Sequence, residues 1–339
     1  MEYPKFKVCC RCFTFNQSKY ITDTMNGFTM QQTDFPFVCT IVDDASSDGE
    51  QEVISKYVEE NFDFSEGSVA YHKETDYAHI TYAQHKTNKN CYFAVLYLKE
   101  NHYSQKKSKM EYLKEWRDNV EYEALCEGDD YWVVYDKLQK QFDIMNQDSE
   151  ISLVHTGFFC VDESGMKIDR PEYEKYMRIS ENGYRFFPLL KKGNHIMTLT
   201  VMVRRNIYDS SFYQDCSIKI DYSLFLTASV MGKIAYIKER TSCYRNNPNS
   251  MINTIHYRVN KWLNITRYEF IKMFLDGKIE NKYIDRPFAT RLFCIRALCR
   301  YDNKYYIPIL KSYPQYIAPF IVIYSMRFIR KLTKLPCVL

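Results

Sequence analysis

The chain has 339 residues, of which 46% are hydrophobic and 26% charged, and a net charge of +4. That length suits one catalytic domain with an appendage, or two modest domains. The composition excludes disorder as the default state, and so small a charge does not by itself imply nucleic acid, which is not expected as a partner. Aromatic residues make up 16%, 30 of them Tyr, against 10 Gly and 10 Pro. Tyrosine suits stacking on sugars and bases, although genome bias also produces Tyr-rich chains.

In chain order, the first half alternates strand-like and helix-like segments. Residues 7–13 read as a strand, 19–30 as a helix, 37–42 as a second strand and 50–61 as a helix capped by Ser46-Ser47-Asp48-Gly49. Short strands follow at 69–73 and 122–126, then a helix at 139–147 and a strand at 151–161. Further on, the pattern predicts a strand at 196–203, a helix near 222–231 and a strand at 233–237. The stretches 74–114 and 170–192 read as loops on the acceptor side. After about residue 254 the chain is helical and Tyr-rich, ending in the run YIAPFIVIYSMRFIRKLTKL at 316–335. Its aliphatic, aromatic and cationic residues fit the interface of an anionic membrane surface, with packing on the domain or on a second subunit as the plain alternative.

The twelve Cys are scattered through apolar runs, without paired C-x-x-C spacing. Buried free thiols in a reducing cytosol are therefore expected, rather than disulfides or zinc. The start MEYPKFKVCC lacks the apolar run of a signal peptide, and no long uncharged apolar window occurs. A cytoplasmic location follows as the expectation, peripheral on the inner face of the membrane if the C-terminal run docks there.

Strands alternating with helices predict an α/β fold with a mainly parallel sheet, in which ligands bind beyond the carboxyl ends of the strands. Two acidic clusters fall there: Asp43-Asp44, and the run CEGDDYW at 126–132 with Glu127, Asp129 and Asp130. Adjacent carboxylates repel unless a cation or donors neutralise them. A hard divalent ion takes oxygen ligands and shares them with a diphosphate. Tyr131 and Trp132 could wall a sugar ring. Helix capping is the plain alternative for both clusters.

Three runs together carry a resemblance: Thr14-Phe15-Asn16-Gln17, Ile41-Val42-Asp43-Asp44-Ala45-Ser46-Ser47-Asp48-Gly49, and Leu125-Cys126-Glu127-Gly128-Asp129-Asp130-Tyr131-Trp132. This combination resembles family 2 glycosyltransferases of the GT-A fold, most closely bacterial enzymes of surface-polysaccharide synthesis. The resemblance covers about residues 5–250. It implies a catalytic domain over 1–250, with a nucleotide-sugar half at 1–130 and an acceptor half at 131–250, followed by a helical region at 251–339.

The resemblance further implies nucleotide contacts from Thr14, Asn16, Asp43, Asp44 and Asp129. Mg²⁺ or Mn²⁺ would be held by Asp130, assisted by Asp129, with Glu127 standing where the family has its first Asp. Asp221, opening the segment Asp221-Tyr222-Ser223-Leu224, would be the general base of an inverting transfer to a saccharide or lipid-linked saccharide. Trp132, His195 and Arg245 would contact donor or acceptor, Arg245 as a planar fork on phosphate. In Tyr244-Arg245-Asn246-Asn247 the family's usual His is replaced by Asn.

Two rival readings make different demands. A nucleotidylyltransferase would need a Gly-rich phosphate loop after the first strand, where this chain has Thr14-Phe15-Asn16-Gln17-Ser18. A non-catalytic carbohydrate- or lipid-binding module would be expected to have lost the acids, all of which are present.

Overall fold

The computed structural model describes residues 3–248, 255–284, 286–301 and 314. The run at 316–335 lies outside them, as does Ser250 of the closing segment. Among the described residues no helix is long and apolar enough to cross a membrane.

The first half begins with β1 (Val8–Thr14), α1 (Ile21–Thr29), β2 (Phe37–Asp43) and α2 (Glu50–Asn61). After them come β3 (Tyr71–Glu74), β4 (Ala78–Gln84), β5 (Cys91–Leu98), the short α3 (Lys114–Arg117) and β6 (Tyr122–Leu125). The second half contains β7 (Tyr131–Trp132), α4 (Lys137–Gln147), β8 (Ile151–Val161), α5 (Pro171–Ile179), α6 (Phe186–Lys192) and β9 (Met202–Arg204). It continues with α7 (Ser211–Gln214), α8 (Asp221–Met231), β10 (Lys233–Arg245), α9 (His256–Leu275) and α10 (Pro287–Tyr301).

The ten strands among the described residues form one sheet in the order β3-β4-β5-β2-β1-β6-β9-β8-β10-β7. The block β5-β2-β1-β6 at its centre is parallel, and β8 and β10 pair parallel further along. The remaining pairs are antiparallel. Alternate residues of the central strands enter different cores. Val8, Cys10 and Cys12 of β1 pack with Ile21, Met25, Phe28 and Ile54 of α1 and α2, whereas Cys9 packs with Leu113 and Trp116 on the opposite face. Covering on both faces is why β2 (FVCTIVD) and β5 (CYFAVLYL) are buried along their whole length.

Three expectations change. The stretch 74–114 is not a loop: it supplies β4, β5 and the 3₁₀ turn Met110–Leu113, and β5 pairs with β2 from Phe37↔Cys91 to Asp43↔Tyr97. The stretch 170–192 supplies α5 and α6. The strand expected at 196–203 is a single 3₁₀ turn, Thr198–Thr200, followed by the three residues of β9 wedged antiparallel between β6 and β8. Helix α8 is buried nearly all round, from Tyr222 to Val230, between the sheet and helices α6 and α9. Phe270, Ile271 and Phe274 of α9 and Cys294 of α10 share its core.

Candidate active site

Parallel pairing brings three strand ends together. The Asp44 N–H donates to the Thr14 carbonyl at 3.0 Å, and the Gly128 N–H donates to the Phe13 carbonyl at 3.2 Å. Gly128 is required by this approach, since a Cβ there would stand 2.1 Å from Thr14 Oγ1. The loops after β1 and β2 each contain a non-glycine residue in the left-handed region, Asn16 at φ 55° and Ala45 at φ 59°. Such backbone persists only where its surroundings hold it, and here they do. The Asn16 N–H donates to Ser46 Oγ at 2.9 Å, and the Ser47 N–H donates to Asn16 Oδ1 at 2.8 Å. Buried Glu50 is the hub, accepting from Thr14 Oγ1, the Gln17 N–H and Ser46 Oγ. Thr14 and Asn16 therefore build the loop pair with their own side chains. Glu50 had no signal in the sequence beyond its place at a helix start.

Asp43 and Asp44 are both buried. Asp43 Oδ1 accepts from the Ser46 N–H and from Gln51 Nε2, while its buried Oδ2 has no partner among the described residues. Burial raises the Asp43 pKa, opposed by those hydrogen bonds. Asp44 is fully engaged: the His102 N–H at 2.7 Å, the Tyr103 N–H at 3.1 Å and Lys109 Nζ at 2.8 Å all donate to it. Its carboxylate fixes the segment after β5, a role the sequence did not suggest. A cavity of about 480 Å³ beside this loop is lined by Ala45, Ser46, Gln51, Tyr97 and Lys99.

The acid run behaves unevenly. Asp130 is buried and accepts the Arg245 N–H on Oδ1 at 2.9 Å. Burial, then the charges of Asp129 and Glu127, push its pKa well above the ordinary carboxylate range. Asp129 and Glu127 are only partly buried. Asp129 Oδ2 accepts from Asn247 Nδ2 at 3.2 Å. Its pKa is raised by burial, as is that of Glu127, where the Asp129 charge adds to the rise and Arg11 and Lys109 oppose it. Among the described residues no three carboxylate, imidazole or thiol groups form a metal cage. Magnesium does not need one, since one or two carboxylates plus substrate phosphates suffice. Burial disfavours all three acids as anions, which a divalent cation beside the run would relieve. Asp129 and Glu127 are the more accessible pair, and Asp130 is buried.

Three expected contact residues are placed otherwise. Trp132 is core: it is 2% exposed, its indole N–H donates to the Leu199 carbonyl at 2.8 Å, and Phe28 and Lys137 pack on its ring. It walls no sugar site. His195 is 4% exposed, with Nδ1 2.9 Å from the Gly193 carbonyl, and burial lowers its pKa to about 4, so it is a neutral structural imidazole. The guanidinium of Arg245 is already committed. It donates to Asp23 Oδ2 at 2.6 Å, to the Asp129 carbonyl at 3.0 Å and to the Glu163 carbonyl at 2.9 Å, with the Tyr20 and Tyr131 rings against it. A fork so engaged is a clamp between α1 and the acid run and has little left to offer a phosphate.

Asp221 opens α8 half-buried. Its Oδ1 accepts the Tyr222 N–H at 2.7 Å, and Oδ2 accepts from Asn194 Nδ2 at 3.1 Å and Thr198 Oγ1 at 3.4 Å. Burial raises its pKa against those donors. Thr198 precedes Leu199, the carbonyl that receives the Trp132 indole, so the 3₁₀ turn links Asp221 to the acid run.

No protein-family model matches the chain. Over 235 residues, 68% of its length, it is 27% identical to uncharacterized protein Rv1520 of Mycobacterium tuberculosis and to uncharacterized protein Mb1547 of Mycobacterium bovis. The match covers 56% of each, so the chain spans about half the length of these curated relatives. Among solved structures it is similar to S. aureus TarS in complex with UDP, at 14% identity and a TM-score of 0.45, covering 93% of this chain and 83% of that one. It is also similar to the mannosyltransferase PcManGT of Pyrobaculum calidifontis in complex with GDP-Man and Mn²⁺, at 14% identity and a TM-score of 0.47, covering 98% and 81%.

Proposed function

We propose that the chain is a metal-dependent glycosyltransferase, moving a sugar from a nucleoside-diphosphate donor to a saccharide or lipid-linked saccharide acceptor with inversion. The observation that carries this reading is the convergence of Asp43, Asp44 and the acid run Glu127–Asp130 at the carboxyl ends of β2, β1 and β6, tied by the Thr14–Asp44 and Phe13–Gly128 hydrogen bonds. Ligands of parallel sheets bind at that edge.

Asp129 and Glu127 would hold Mg²⁺ or Mn²⁺ together with the donor diphosphate. The bound ion supplies Lewis-acid stabilisation of the charge that collects on the departing nucleoside diphosphate. Buried Asp43 would shape the ribose side of the pocket through its hold on the Ser46 N–H and Gln51 Nε2. Asp44 shapes the base pocket through its hold on His102, Tyr103 and Lys109. Asp221 takes the proton of the acceptor hydroxyl while that oxygen bonds to the anomeric carbon and the diphosphate leaves. Its burial-raised pKa makes it a better base than an exposed Asp. A peripheral role at a membrane in surface-polysaccharide synthesis, through the terminal run 316–335, belongs to the same proposal.

The test is a hydrolysis and binding screen of uridine, guanosine and thymidine diphosphate sugars with and without Mn²⁺. Metal-stimulated turnover of at least one donor is expected. No turnover together with no nucleoside-diphosphate binding would overturn the proposal. Asp221→Asn should keep donor binding and lose roughly 10²- to 10⁴-fold in transfer.

A further inference from the structure

The end of β10 runs past the acid pair. Arg245 holds it twice, with its N–H on Asp130 Oδ1 and its Nε on the Asp129 carbonyl. Two residues on, buried Asn247 places Nδ2 at 3.2 Å from Asp129 Oδ2 and 3.3 Å from Gln17 Oε1. Gln17 lies in the loop after β1, where its own N–H is fixed by Glu50 at 2.8 Å. One amide thus spans the partly exposed carboxylate of the acid run and the loop that borders the nucleotide side. The anchor behind it is rigid, because the Arg245 guanidinium is locked between two rings and three acceptors.

We propose that Asn247 is a positioning residue for Asp129, fixing the plane of its carboxylate for a divalent cation and coupling that plane to the loop after β1. The inference rests on the reading of Asp129 as a metal ligand. A carboxylate held by an outer hydrogen bond needs no reorientation when the ion arrives, which is why outer partners commonly carry 10- to 100-fold in metal affinity. The uncharged amide donates without competing for the ion. Arg245, as the clamp, sets where Asn247 stands.

The experiment titrates Mn²⁺ into the full chain and follows free Mn²⁺ by electron paramagnetic resonance, with UDP, GDP and thymidine diphosphate present in turn. Metal-free nucleotide binding is measured in parallel by calorimetry. Wild-type protein should take up Mn²⁺ with at least one of the three nucleotides; uptake with none of them overturns both this inference and the functional proposal. Asn247→Ala should bind Mn²⁺ roughly tenfold more weakly, with metal-free nucleotide affinity and melting temperature close to wild type. Asn247→Gln, which keeps the amide donor, should recover most of the loss. Asn247→Ser, too short to reach Asp129, should match the alanine variant and stands in for it should alanine fail to fold. Unchanged Mn²⁺ affinity in these variants would overturn the positioning role while leaving the functional proposal standing. So would a parallel fall in metal-free nucleotide affinity and stability, which marks general loosening.

Discussion

Asp130 accepts a backbone N–H from β10 in a buried setting, while Asp129 beside it stays partly exposed with a side-chain amide for a partner. Their sequence context is nearly the same, so only burial separates their roles. Asp130 is buried on the Arg245 N–H, so the isostere Asp130→Asn should keep Mn²⁺ affinity within a few-fold of wild type, whereas Asp129→Asn should abolish Mn²⁺ uptake. Electron paramagnetic resonance titration of the two variants decides it, and the reverse order would return the metal to Asp130. Trp132 makes the same point for aromatic residues. Its position after the acids suggested a sugar wall, yet its indole is buried on Phe28. Trp132→Ala should cost about 3–5 kcal/mol of stability in urea denaturation, the penalty of a large core cavity.

At the scale of elements, α1 lies on the backbone of β7. Gly27 permits this, because a Cβ there would stand 2.8 Å from the Trp132 backbone N and 3.0 Å from its carbonyl O. Alanine favours helix over glycine by about 1 kcal/mol, but overpacking against fixed backbone costs about 1–3 kcal/mol. Gly27→Ala should therefore lower the melting temperature, and a rise would show that β7 can retreat. Strands β1, β2, β6 and β8 were legible because apolar runs bounded by turn residues suit strands covered on both faces. The run 91–98 carried the same signal, and reading it as part of an acceptor loop missed β5. Strand β9 was illegible for another reason: three residues become strand only because β6 and β8 supply hydrogen bonds on both sides.

For the whole molecule, pH acts in two directions. His155 and His195 are buried and neutral, with pKa values lowered by burial to about 3 and about 4 from the unfolded 6.5. Their contribution is fully present above pH 6.5 and is lost as pH falls toward those values, because the unfolded chain takes up the protons. The acids with raised pKa values work oppositely, favouring the fold at low pH and losing that contribution as pH rises through their folded values. Comparing wild type with His155→Phe separates the two. Between pH 7.5 and pH 5, wild type should lose roughly 2 kcal/mol relative to the variant in urea midpoints. No relative change would show that His155 is already protonated or exposed. Ten of the described cysteines are free thiols, nine of them buried.

The sequence by itself determined the α/β alternation, the turns at the ends of β1 and β2, and the acidic residue types available to a site. Local periodicity and turn chemistry act over a few residues, so they are written in the chain. Tertiary structure decided which acids remain accessible, and it removed Trp132, His195 and the Arg245 fork from the list of ligand contacts. Those outcomes depend on partners as distant as Asp23 from Arg245 and Leu199 from Trp132. Burial and hydrogen-bond competition are set by packing across the whole sheet, and a linear pattern does not encode which donor reaches which carboxylate first.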